Sequence, residues 1–166
     1  MTKRMLVRKM SRLAGLALAL TAGLACAGCG LPFEAATPAG FVELEDQDER
    51  GYEWRATSAD GLVLAVRAKD HEPKGELTFW AKVVENHMRQ SGGYALLSKS
   101  NVKTTQGVEG TMLRFGHDQG ATPHLYWVTV LVTESHIYLL EAGGTKELVE
   151  GKAKDIEAWV MAFRAD

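Results

Sequence analysis

Cysteine is nearly absent from this 166-residue chain, whose only two, Cys26 and Cys29, lie close together near the N terminus. A small fold stapled by several disulfides is therefore excluded. The apolar run Leu13 to Ala25 is short for a helix that crosses a bilayer, which needs about 20 residues, and it would anchor the chain only if it escaped cleavage. No Gly-x-Ser-x-Gly elbow surrounds Ser58, Ser91, Ser98, Ser100 or Ser135. Gly92-Gly93 and Gly143-Gly144 are followed by Tyr94 and Thr145, not by the Lys-Ser/Thr of a phosphate-cradling loop, and both read as helix stops. Internal repeats and low-complexity tracts are lacking too. Without a nucleophile set beside a base, the chain is expected to be non-enzymatic, and nothing in it calls for a cofactor. What remains is an ordinary globular composition, 46% apolar and 24% charged, suited to one core.

The N terminus carries a strong pattern. Met1 to Arg12 is basic, Leu13 to Ala25 is apolar and uncharged, and Ala25-Cys26-Ala27-Gly28-Cys29-Gly30 is a run of small residues. That order is the signature of a secretory signal peptide. Ala27-Gly28-Cys29 resembles the lipobox of bacterial lipoproteins, where small residues admit the backbone to the signal peptidase and the cysteine thiol takes the lipid. Cys26 stands where that family usually has leucine, and Cys26 is itself a poorer acceptor because Gly23 lies three residues before it. The resemblance implies a signal peptide over 1–28, lipidation at Cys29, a tether over 29–40, and an envelope protein held on the periplasmic face of a membrane. Ordinary cleavage with an unmodified thiol is the alternative.

Processing changes the charge. Five of the 19 basic residues and none of the 21 acidic ones precede the cleavage point, leaving 14 against 21 and a formal charge of −7. Such a surface disfavours nucleic acid and polybasic membrane attachment. Glu43, Glu45, Asp46, Asp48, Glu49 and Glu53 cluster near the start of the mature part and read as a solvated loop or strand edge.

From 41 to 166 the pattern predicts a single α+β domain. Strands are expected at Phe41 to Leu44, Tyr52 to Thr57 and Leu62 to Ala68, the last two joined through Asp60-Gly61, a hairpin mark. Between Glu76 and Gln90 the period becomes helical, with Leu77, Trp80, Val84, His87 and Met88 on the expected buried stripe. Four further strands are expected at Tyr94 to Lys103, Gly107 to His117, His124 to Thr133 and His136 to Ala142. A closing helix from about Lys146 to Arg164 bears Leu148, Ile156, Trp159, Val160 and Phe163, with Gly151 a possible break. The order βββ-α-ββββ-α gives an antiparallel sheet flanked by two amphipathic helices.

A helix bearing Trp80, the stretch Gly93-Tyr94-Ala95-Leu96-Leu97, the strand Gly107 to Phe115, the strands Tyr126 to Val132 and Ile137 to Glu141, and Ile156-x-x-Trp159-x-x-x-Phe163 together resemble the PsbP-like superfamily. That superfamily includes photosystem extrinsic subunits, a Ran-binding import factor and DcrB-like bacterial lipoproteins. The resemblance implies an α/β/α sandwich that binds proteins or supports membrane-associated complexes without catalysis. It assigns no site residue here.

Candidate site residues are few. His117 and His124 flank a turn that sets them across a hairpin with Asp118 nearby, which would suit a divalent metal, although water-exposed loop histidines are commonplace. His87 reads as a boundary residue, and His71 and His136 as solvated turn residues. Trp80 and Trp159 fall at core spacing, whereas Trp54 and Trp127 are the candidates for an exposed partner surface. The expectation is a lipid-anchored envelope domain that holds a protein partner, with a small-ligand or metal-binding periplasmic module as the alternative. A flat aromatic patch would favour the first, and an apolar pocket with converging polar groups the second.

Overall fold

A computed structural model describes residues 30–45, 51–119 and 122–166. The signal segment, both cysteines, and Asp46, Asp48 and Glu49 lie outside the described residues. A seven-stranded antiparallel sheet dominates the fold. Its strands are β2 (Phe41–Glu43), β3 (Trp54–Ser58), β4 (Val63–Asp70), β5 (Ala95–Lys103), β6 (Glu109–Gln119), β7 (Thr122–Val132) and β8 (His136–Thr145). In space they run β2-β3-β4-β8-β7-β6-β5. A separate pair, β1 (Phe33–Glu34) with β9 (Arg164–Ala165), ties the two ends of the domain together.

The central strands β6, β7 and β8 carry buried apolar residues on both faces, and helices pack on each side of them. On one face Trp54, Leu64, Val66, Met112, Trp127, Leu131, Tyr138 and Leu140 pack beneath Val149 of α2 (Lys146–Gly151) and Ile156, Trp159 and Val160 of α3 (Ala153–Ala162). On the other, Leu113, Phe115, Val128, Val130 and Ile137 meet Leu77, Trp80, Val84 and Met88 of α1 (Leu77–Gln90). Thr145 caps α2 by accepting from the Leu148 N–H. The turn between β3 and β4 forms at Asp60-Gly61, where Gly61 takes a φ of 94°, a value side chains resist.

Three differences from the sequence reading have physical causes. Gly151 does divide the last helix, and Val149 rather than Leu148 supplies the buried contact of its first part. The stretch expected as a tether over 29–40 is partly docked: Phe33 is buried, its ring 5.4 Å from Phe163 and 6.1 Å from Tyr138. The Tyr138 hydroxyl donates to the Pro32 carbonyl at 2.7 Å. Helix α1 packs Leu77, Trp80, Val84 and Met88 against the sheet as expected, but Ala81 and Glu85 are buried with them and His87 is exposed, against its expected place on the stripe. Among the described residues no helix is long and apolar enough to cross a membrane.

Candidate functional site

Helix α1 contacts β5, β6 and β7, and so covers only one half of its side of the sheet. The rest of that face, over β3, β4 and the part of β8 beyond Ile137 and Leu139, is left without a helix. Register decides what stands there. Val63 faces Gly143, which faces Tyr126; Ala65 faces Glu141, which faces Val128; Arg67 faces Leu139, which faces Val130. Alternate residues of each strand share a face, so Arg67, Glu141 and Tyr126 meet diagonally. Gly143 makes room for this, because a Cβ there would lie 2.9 Å from the Tyr126 ring.

The three side chains interlock. Arg67 Nε lies 3.1 Å from Glu141 Oε1, and the Tyr126 hydroxyl donates to Glu141 Oε2. The Arg67 guanidinium sits 4.0 Å from the centre of the Tyr52 ring, with Arg55 on the same ring at 5.7 Å. Glu141 is only 5% exposed. Burial pushes its carboxyl above the ordinary range, while the Tyr126 hydroxyl and the Arg67 cation oppose that rise. Burial also raises the Tyr126 hydroxyl, and the adjoining Glu141 charge raises it further.

Beside this cluster a cleft of about 360 Å³ runs under the free edge of α1. Trp80, Val83, Val84 and Met88 form its helix wall, Val128, Ile137 and Leu139 its floor, and Arg67, Tyr126 and Glu141 one end. Asp70, Glu72 and Lys69 stand at its rim. Apolar walls with a few converging polar groups are the usual make-up of a small-ligand site, and the volume is at the lower end of the range for one.

The residues singled out from the sequence fall elsewhere. Trp54 and Trp127 are core residues, not surface: Trp54 stacks on Trp159 at 5.7 Å, and Trp127 lies beneath the Arg114 guanidinium at 4.5 Å. Both sit on strand positions that face α2 and α3, which seal them from water. His117 and His124 are paired across β6 and β7 as expected. Asp118, however, occupies the next position along the strand and so faces the opposite side, which separates it from both imidazoles. His117 rests 5.0 Å from the Tyr94 ring, and among the described residues no group of three His, Cys, Asp or Glu side chains could hold a metal. His71 is buried rather than solvated, with Nδ1 2.7 Å from the Thr133 carbonyl and Nε2 2.9 Å from Gly75. His136 begins β8 and is half-buried. Cys29 lies outside the described residues.

Sequence reasoning passed over Arg67 and Glu141. A signal was present, since each is a lone charge inside an apolar strand run, Leu64-Ala65-Val66-Arg67-Ala68 and Leu139-Leu140-Glu141-Ala142. Glu85 was missed in the same way: it is 3% exposed and ringed by Lys82, Arg89 and Lys99.

No protein-family model matches the chain, and no curated protein matches its sequence. Solved structures do. Cyanobacterial PsbP (CyanoP) of Synechocystis is similar with a TM-score of 0.59 and 11% identity, over 85% of this chain and 97% of that one. LpqN of Mycobacterium tuberculosis, described as involved in cell envelope biogenesis, is similar with a TM-score of 0.65 and 9% identity, over 80% and 83% of the two chains. The domain therefore has the PsbP-like α+β fold. At these identities the likeness carries the fold and no function.

Proposed function

We propose that the chain is an exported, lipid-anchored envelope domain that acts by binding rather than by catalysis, and that its binding site is the cleft under α1. The observation that carries this reading is the convergence of Arg67, Glu141 and Tyr126 on an apolar cleft in the half of the sheet face that α1 leaves open. Export and the anchor rest on the basic, apolar and small-residue order that ends at Cys29. The burial of Trp54 and Trp127 removes the flat aromatic patch that would have favoured a protein partner there.

The test is uptake of an environment-sensitive apolar dye. One dye per chain is expected, and Val83→Trp, which fills the cleft from its exposed lip, is expected to abolish uptake while thermal unfolding stays the same. Equal uptake by Val83→Trp and by the parent chain would overturn the reading.

A second reading, a protein partner at the envelope, is favoured by Phe79 and Val83, which are one turn apart on α1 and respectively 54% and 40% exposed. Here Phe79→Ser should reduce crosslinking to a membrane protein in native membranes and leave dye uptake intact. Unchanged crosslinking would count against it.

A further inference from the structure

We propose that the cleft takes a single-chain amphiphile with an acidic head, carboxylate or phosphate, and that Arg67 receives the head. This rests on the cleft being a ligand site. The geometry argues for the sign of the head. Glu141 has both oxygens engaged, one by Arg67 Nε and one by the Tyr126 hydroxyl, so it has little to offer a cation. Asp70 and Glu72 stand at the rim with side chains 91% and 73% exposed, where water weakens any pairing. Arg67 is different. It lines the cleft with Glu141 against its Nε and the Tyr52 side chain beside it. The Tyr52 ring below and the Nε contact beside it hold the guanidinium in one orientation. Little side-chain entropy is then left to lose on binding, and a planar fork matches the oxygens of a carboxylate or phosphate. Lys69, two positions along the same strand face and paired with Glu53 at 3.5 Å, is a second cation at the rim. Trp80, Val83, Val84, Met88, Ile137 and Leu139 then line the path of an alkyl tail.

The experiment titrates the whole mature chain with dodecanoate, dodecyl phosphate, dodecanol and dodecyltrimethylammonium by calorimetry. Both acids are expected to bind one to one, about tenfold tighter than the alcohol, as one charge-assisted contact predicts. Arg67→Gln is expected to erase that difference and leave dodecanol binding where it was. Because this variant leaves Glu141 without its cation, Arg67→Gln with Glu141→Gln provides a neutral pair that keeps the fold while testing the same point. The ranking of dodecanoate against dodecyl phosphate tells a free fatty acid from a phosphate-headed lipid. Equal binding of acid, alcohol and ammonium, all lost in Val83→Trp, would overturn the acidic head and keep the cleft. No binding by any of the four would overturn both.

Discussion

Two buried carboxylates show how neighbours set the sign of an electrostatic effect. Glu85, held by Lys99 and Lys82, is lowered from 4.5 to about 2, whereas Glu141 is raised, chiefly by burial. A lowered carboxyl stabilises the fold above its unfolded value and loses that contribution as pH falls through the folded one. Glu85→Gln should therefore cost about 1–2 kcal/mol at neutral pH, since its cations are half-exposed, and the cost should disappear between pH 4.5 and about 2. Thermal unfolding across that window checks it, and a pH-independent cost would show a packing effect instead. For Glu141 the sign reverses: a raised carboxyl favours the fold below its unfolded value, and that contribution is lost as pH rises through the folded value. The stability of Glu141→Gln relative to the parent should accordingly improve as pH rises past the carboxylate range. Tyr126→Phe, which leaves Glu141 Oε2 buried without its donor, should cost about 1–3 kcal/mol at neutral pH in the same unfolding measurement.

At the level of elements, what the sequence made legible followed periodicity. The hairpin at Asp60-Gly61, the order of the seven main strands and the buried Ile156, Trp159, Val160 and Phe163 were all readable, because each repeats apolar residues at a strand or helix interval. The β1–β9 pair was not, since two-residue strands have no period to detect and depend on ends brought together by the finished fold. The burial of Glu85 on α1 was hidden for a related reason: it reads as solvent-facing until β5 places Lys99 against it. Packing gives the sharper predictions here. Trp159→Ala, which empties the stack on Trp54, should cost on the order of 3–5 kcal/mol, measured by denaturant unfolding. A chain that starts at Thr37 lacks Phe33 and the Pro32 carbonyl that accepts from Tyr138, and it should unfold several degrees below one that starts at Gly30. Equal unfolding temperatures would return 30–36 to the role of a free tether.

For the molecule as a whole, the proposed anchor and the proposed cleft are separable. Cys29→Ala should end acyl labelling and release the domain from membranes, yet leave ligand uptake unchanged. Labelling that persists in that variant and vanishes in Cys26→Ala would move the lipid to the other cysteine. The cleft was the part least legible in advance, because it arises from where α1 stops along a sheet face and from a diagonal meeting of Arg67, Glu141 and Tyr126 across three strands. Tyr126 and Glu141 both lay in stretches that carry the family resemblance, yet nothing in those stretches marks either as a site residue. The most direct test is native mass spectrometry of the protein released gently from its own membrane. The parent chain should carry a single small amphiphile that Val83→Trp lacks; a parent chain with no bound small molecule, indistinguishable in this respect from Val83→Trp, would contradict the account.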